Sequence, residues 1–228
     1  MSDLDREKQL AAEAAADLVE SGMVVGLGTG STAAFAVRKI GARVKGGMRI
    51  RALPTSRATE ALARELGIPL VEFAQVTRLD LTLDGADEMD PALNLTKGGG
   101  GALFREKIVA AASARLVIFA DHTKCVPVLG TFPLPVEVNP FGWQVVAEKV
   151  RALGAEVKLR ERAGQTFVTD NQGYILDCRF GAIPDPPALE AKLRAIVGVT
   201  ECGLFCGMAE MACVAEGAKV VNVRPIRP

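Results

Sequence analysis

The chain has 228 residues, 49% of them hydrophobic, and its 27 acidic side chains balance its 27 basic ones. That balance argues against nucleic acid or an anionic membrane as partner, and the apolar content argues against disorder. The length suits one large domain or a domain with a smaller companion.

No stretch approaches the roughly 18 apolar residues of a membrane span. The opening MSDLDREKQL is charged and lacks the apolar core of a signal peptide. A cytoplasmic protein with no membrane contact is expected. Ser2, with Asp5 three residues on, resembles a capping box, and an alanine-rich helix is predicted to about Val19. Lys8 lies on it, either simply solvated or able to reach a phosphate. An apolar strand, MVVGL, then leads into Gly28, Thr29, Gly30, Ser31 and Thr32, and a helix is predicted from about Ala33 to Val44.

Strand, glycine turn and helix together aim backbone N–H groups and a helix dipole at an anion. Gly26, Gly28 and Gly30 give G-x-G-x-G, not the G-x-G-x-x-G of a dinucleotide fold. The next strand, Arg49 to Leu53, ends in Pro54, Thr55 and Ser56, with no acid for a ribose. The P-loop Gly-Lys-Ser/Thr is also missing. Two uses remain open: a cup for a single phosphate, or a tight turn with a serine or threonine N-cap.

A helix is predicted over about Arg57 to Leu66 and a strand around Ile68 to Phe73. Leu79 to Leu83 then reads as a buried strand. It ends in Asp84, Gly85, Ala86, Asp87 and Glu88, three carboxylates at one strand's mouth. Ligands of open α/β sheets sit beyond such carboxyl ends. Lys97 and Gly98 to Gly101 follow, and a helix is predicted over Ala102 to Ser113. Glu106 falls in its first turns, with Ala102, Leu103, Val109 and Ala110 on its face. Apolar neighbours would raise its pKa toward that of a base, whereas an ordinary first-turn acid would only complement the helix dipole. A further buried strand, Arg115 to Ala120, leads to Asp121, His122, Thr123 and Lys124. Lys124 is either a phosphate ligand or a solvated loop lysine.

Pro127, Pro133, Pro135 and Pro140 mark a crossing into a second unit. An amphipathic helix is predicted over Phe141 to Leu153, and short strands near Glu156 to Arg160, Thr166 to Thr169 and Tyr174 to Phe180. Asn171 to Gly173 would turn the last two into a hairpin. A helix over about Ala188 to Val197 completes a small α+β module with a four-stranded sheet. Val199 to Phe205 and Met211 to Val223 are expected to return to the main sheet, with Gly217 and Ala218 as a turn. The boundaries are therefore 1–128 plus 199–228 for the larger domain and 129–198 for the smaller, which is assigned to packing or oligomerisation. Five cysteines and a single histidine, His122, fit neither a disulfide framework nor a zinc site. The cysteines read as buried thiols, with Cys125 as a possible reactive one.

A phosphate cup, strand-end acids, a lysine beside amide-rich glycines and a candidate base suit proton abstraction next to a carbonyl on a small phosphorylated polyol. A lysine and backbone amides meet charge that grows in the transition state. The class of reaction is aldose–ketose isomerisation. The segments GLGTGSTAAF, DLTLDGADEMD, KGGGGALFREKIVA and ADHTK resemble, in order and spacing, the signature blocks of type A ribose-5-phosphate isomerases. The likeness covers essentially the whole chain.

The resemblance implies a Rossmann-like, mostly parallel sheet flanked by helices, with an inserted ferredoxin-like domain. It implies interconversion of ribose 5-phosphate and ribulose 5-phosphate through a cis-enediolate, with no cofactor or metal, in a homodimer or homotetramer. Glu106 would transfer the proton. Lys97 and the amides of Gly98, Gly99 and Gly100 would hold the oxyanion. Asp84 and Asp87, with Gly85 and Ala86 between them, would bind the sugar and help open its ring. Thr29, Gly30, Ser31, Thr32 and Lys124 would bind substrate, the phosphate lying at Ser31 and Thr32. His122, Thr123, Cys202 and Phe104 depart from the family pattern without removing a catalytic group. A histidine-dependent deaminase or lactonase of sugar phosphates, and a non-enzymatic sugar-phosphate sensor, are the competing possibilities.

Overall fold

The Ser2 hydroxyl accepts from the Asp5 amide at 3.1 Å and so caps α1 (Asp3–Ala16), a contact worth about 1 kcal/mol. In this computed structural model, which describes residues 2–226, α1 turns Ala11, Ala12, Ala15 and Ala16 wholly inward. Side chains this small let the helix lie close on its neighbours.

The chain continues through β1 (Val24–Leu27), α2 (Ser31–Lys45), β2 (Arg51–Pro54), α3 (Arg57–Glu65) and β3 (Leu81–Gly85). Two short strands follow, β4 (Glu88–Met89) and β5 (Leu95–Thr96), then α4 (Leu103–Ala111), β6 (Leu116–Asp121) and a single 3-10 turn, His122–Lys124. Next come β7 (Leu134–Val138), α5 (Trp143–Arg151), β8 (Glu156–Leu159), β9 (Glu161–Arg162), β10 (Gln165–Thr166), β11 (Tyr174–Arg179) and α6 (Pro186–Arg194). The last strands are β12 (Val199–Cys202), β13 (Leu204–Phe205), β14 (Met211–Glu216) and β15 (Lys219–Val223).

The residues form two compact units: 2–86, 105–124 and 208–226 in the first, 87–104 and 125–207 in the second. In the first, six strands pair in the order β15-β14-β6-β3-β1-β2. All neighbours are parallel except β15, which folds back on β14 through Gly217 and Ala218 as expected. From β1 the chain moves outward to β2; from β3 it moves the other way, to β6. The order therefore reverses between β1 and β3, which is where a doubly wound sheet opens a crevice for ligand. α1 packs against α2, β6 and β14, and its alanines join Val25, Leu27, Leu81, Leu83, Val117 and Phe119 in one core.

The second unit carries a four-stranded antiparallel sheet in the order β12-β7-β11-β8. Its chain order, β7-α5-β8-β11-α6-β12, is the ferredoxin-like β-α-β-β-α-β arrangement. This corrects one expectation: Val199–Cys202 does not return to the main sheet but supplies this sheet's fourth strand, against β7. Leu204–Phe205 pairs with β5, and β5 with β4, in a separate three-stranded patch. The 129–198 boundaries follow a change in sequence texture; the packing unit also takes in Asp87–Phe104 and residues 125–128 and 199–207.

Two further strand expectations fail. Ile68 to Phe73 makes a single bridge, Ala52 to Leu70, because Pro69 has no N–H to extend a ladder. Thr166 to Thr169 is likewise not a strand of the sheet. Glu161–Arg162 and Gln165–Thr166 form their own hairpin, turned by Ala163 and Gly164 at φ 52° and 75°, and Val168 makes only a bridge to Tyr174. No helix among the described residues is long and apolar enough to cross a membrane.

Candidate active site

The first unit places the Gly28–Thr32 turn at the reversal point. Gly28 sits so close to Asp84 that a Cβ there would lie 2.2 Å from Asp84 Oδ1. Only glycine lets the β1 loop touch the end of β3. Asp84, 1% exposed, accepts from the Thr29 amide at 3.2 Å and from the Gly85 amide at 2.8 Å through Oδ1. Burying a carboxylate is costly unless donors surround it, and the tight loop provides them.

Thr29 is held from its other side by hydroxyls at the end of β2. Its Oγ1 lies 2.7 Å from Thr55 Oγ1 and donates to Ser56 Oγ at 2.8 Å. Thr55 and Thr59 donate to the carbonyls of Leu27 and Gly28 at 3.0 and 2.9 Å. Beyond Thr29, Gly30 at φ 116° caps α2. Having no side chain, it accepts nothing from the first amides of α2, so the alternative of a serine or threonine N-cap does not hold here. The turn instead presents amides and a helix dipole beside exposed Ser31 and half-buried Thr32, a ready anion site.

Glu106, in the first turn of α4, is 4% exposed. The neighbours expected on its face, Ala102, Leu103, Val109 and Ala110, are all buried. Lys124 closes the 3-10 turn after β6, and buried Asp121 braces that turn by accepting from the Thr123 amide at 3.1 Å and from its hydroxyl. His122 Nδ1 lies 2.6 Å from Glu7 Oε2, and Gly217 donates its amide to Glu7 Oε1 at 2.8 Å. His122 lowers the pKa of Glu7, and Glu7 raises that of His122. Half-buried Lys8 pairs with Asp5 at 3.5 Å.

The second unit builds the other glycine loop. Lys97, 3% exposed, holds its Nζ 5.4 Å from the centre of the Phe205 ring, a favourable cation–π distance. Its amide donates to Gly203 O at 2.8 Å. Gly98 and Gly101 adopt φ 104° and 89°, left-handed values that favour glycine. The Gly101 amide closes the turn on Gly98 O at 3.0 Å, and the Gly99 amide donates to Asp87 Oδ2 at 2.7 Å. Of the three amides expected to face an oxyanion, that of Gly99 is thus engaged by Asp87.

The third strand-mouth acid, Glu88, has a structural task. Its buried carboxylate accepts from the amides of Gly130 and Phe132 at 2.9 and 2.7 Å. Sequence reasoning also missed Thr55 and Thr59 as braces of the first cradle, although the hydroxyl cluster TSRAT directly after a strand was a usable sign. It missed Arg160, whose guanidinium reaches Gly98 O. Cys178, Cys202 and Cys213 are buried and Cys125 is exposed. Burial pushes the Cys213 thiol up to about 11, and Cys178 higher still.

Residues 51–219 match the sequence profile of ribose 5-phosphate isomerase A (phosphoriboisomerase A). The chain is 56% identical to ribose-5-phosphate isomerase A of Gloeobacter violaceus over 98% of both chains. It is 54% identical to that of a Roseiflexus species over 95% of this chain and 94% of the relative. A solved D-ribose-5-phosphate isomerase in complex with phospho-erythronic acid superposes with a TM-score of 0.94 at 36% identity, covering 98% of this chain and all of that one. The ribose 5-phosphate isomerase A of Methanocaldococcus jannaschii gives 0.92 at 37% identity, over 96% and 98% of the two chains.

Proposed function

The chain belongs to the ribose 5-phosphate isomerase A family, and on that footing we propose how its residues divide the work. It is an isomerase that interconverts ribose 5-phosphate and ribulose 5-phosphate, an aldose–ketose step of the pentose phosphate pathway. Such a step moves one proton from C2 to C1 and another from O2 to O1. Glu106 is the base that takes the C2 proton and returns it to C1, through a cis-enediolate. Its burial supports this role, since a carboxylate kept from water is a stronger base.

Lys97 and the amides of Gly98 and Gly100 stabilise the oxyanion as it forms, while the Gly99 amide stays on Asp87. Asp84 and Asp87, with Gly85 and Ala86, bind the sugar hydroxyls and assist ring opening. Two residues separate the acids, so the extended-chain limit keeps their Cα atoms within roughly 10 Å. Thr29, Gly30, Ser31 and Thr32 bind the phosphate with Lys124, and Lys8 is a secondary candidate. The observation that carries this division is the glycine-capped start of α2 lying beside Asp84 at the sheet's reversal point.

Residues 1–128 with 199–228 carry the chemistry in this proposal, and 129–198 carry support and self-association. The protein works in the cytoplasm without cofactor, as a homodimer or homotetramer. Proton NMR of ribose 5-phosphate with the enzyme in D₂O containing EDTA tests the mechanism. Ribulose 5-phosphate signals should grow while the C2 proton signal disappears. Full retention of the transferred proton at C1 would call for a C2-deuterated substrate, to separate a shielded base from hydride transfer. Binding without conversion would sink the enzymatic assignment.

A further inference from the structure

Arg160 follows β8 in the ferredoxin-like part of the second unit, far in sequence from the glycine loop, yet its side chain is only 11% exposed. Nε donates to Asp177 Oδ2 at 3.0 Å and Nη2 to Asp177 Oδ1, a two-pronged ion pair. The remaining nitrogen, Nη1, donates to Gly98 O at 2.8 Å and to Gly99 O at 3.2 Å. The backbone of Arg160 is itself fixed: its amide donates to Ile175 O at 2.8 Å, and its carbonyl accepts from Phe167 N at 2.9 Å. Phe167 seals the far end of the same loop, because a Cβ on Gly101 would lie 2.4 Å from its ring.

The direction of these bonds matters more than their number. A peptide unit is planar and trans, so the carbonyl of one residue points opposite to the N–H of the next. Drawing the Gly98 carbonyl toward Arg160 therefore aims the Gly99 N–H away from it, and drawing the Gly99 carbonyl does the same for the Gly100 N–H. The Gly99 amide does point elsewhere, into Asp87 Oδ2 at 2.7 Å. A guanidinium also polarises the carbonyls it binds, which strengthens the N–H donors of the same peptide planes. A planar fork with five donors can hold Asp177 on one edge and two carbonyls on another; an ammonium cannot.

We infer that Arg160, held by Asp177, is a positioning residue for catalysis: by holding the Gly98 and Gly99 carbonyls it keeps the Gly99 amide on Asp87 and orients the Gly100 amide toward the oxyanion of the enediolate. This rests on the proposed role of the 97–101 loop. It also gives the ferredoxin-like part a task in the reaction besides packing. An enediolate carries its charge only near the transition state, so loss of alignment is felt in kcat and not in KM.

The test compares Arg160→Ala, Arg160→Lys and Asp177→Asn in steady-state kinetics, with Glu106→Gln measured alongside. Removing an oxyanion donor outright typically costs about 10²–10³ in kcat, so misaligning the Gly100 donor should cost about 10–10² in Arg160→Ala, with KM within about threefold. Arg160→Lys and Asp177→Asn should fall between it and wild type. Millimolar guanidinium should restore part of the kcat of Arg160→Ala; a merely structural defect would gain nothing from a denaturant. Wild-type kcat in the folded Arg160→Ala or Asp177→Asn protein, or a raised KM with kcat unchanged, overturns the inference. If Arg160→Ala does not fold, the Asp177→Asn result decides alone. A Glu106→Gln enzyme that still turns over normally would instead sink the underlying assignment of the site.

Discussion

The two glycine loops are built differently. The loop from Gly28 to Thr32 is steadied by the hydroxyls of Thr55, Ser56 and Thr59, by the Asp84 carboxylate on the Thr29 amide and by the backbone of a helix start. The loop from Lys97 to Gly101 is steadied by ionic groups, Asp87 on one amide and the Arg160–Asp177 pair on two carbonyls. A phosphate carries its charge throughout the reaction, so the cradle proposed for it in the Gly28–Thr32 loop needs donors and a dipole and little else. An enediolate oxygen is charged only briefly. Its donors must already point the right way, since turning them during the reaction would itself cost energy. In the proposed division of work, hydroxyls with one carboxylate brace the loop for the permanent charge, and an arginine–aspartate pair that grips carbonyls braces the loop for the transient one.

The largest expected effect lies outside both loops and calibrates the comparison. Glu106→Gln should keep substrate affinity and lose about 10²–10⁴ in kcat, read by steady-state kinetics; near-normal turnover would remove Glu106 from the mechanism. Gly28→Ala comes next. The new Cβ would meet Asp84 Oδ1 at 2.2 Å and the Asp84 Cα at 2.7 Å, so β3 itself must shift. Overpacking of about 1–3 kcal/mol should lower Tm by about 2–12 °C in a chain of this size, with activity falling further as Asp84 is displaced. An unchanged melting curve would mean that the loop is looser than described.

Ser31→Ala sharpens the contrast directly. Losing one hydrogen bond to a charged group, about 1.5–3 kcal/mol, should raise KM for the phosphorylated substrate about tenfold or more and leave kcat nearly alone. A fall in kcat at constant KM would erase the distinction between the loops.

The smallest effect concerns His122, which Glu7, Glu216 and Asp121 all favour in its charged form. Glu7 has a lowered pKa, so its share of stability is present above the ordinary carboxylate value of 4.5 and fades as pH falls toward the folded value. His122 has a raised pKa, so its share is present below the ordinary imidazole value of 6.5 and fades as pH rises through the folded value. His122→Ala should therefore lower Tm most between about pH 4.5 and 6.5, and a difference that keeps growing above pH 8 would contradict the pairing.

Much of the first unit was legible because its signals are local. Strand, glycine turn and helix succeed one another between Met23 and Lys45, and the burial of Glu106 followed from its spacing to Leu103 and Ala110. What escaped depends on distant partners. Nothing near Val199 says whether it pairs with β7 or with the main sheet; that choice is made by the open edge of β7, sixty residues earlier in the chain. Arg160 reads as one charge among several in KLRER, and only the folded chain brings its guanidinium to Gly98. The stretch from Ile68 to Phe73 had an apolar pattern but also Pro69, and the missing donor outweighed the pattern.

The position of β14 affects how the protein is made. Met211–Glu216 lies between β6 and β15, inside the sheet rather than at its rim. On the ribosome, β6 therefore waits for a neighbour encoded roughly ninety residues later, about 5–20 s at usual rates of synthesis. The ferredoxin-like sheet, whose last strand ends at Cys202, can pair completely before that strand emerges. The main sheet is thus the last to have all its strands, and until β14 emerges β6 keeps an unpaired edge that a chaperone would have reason to shield.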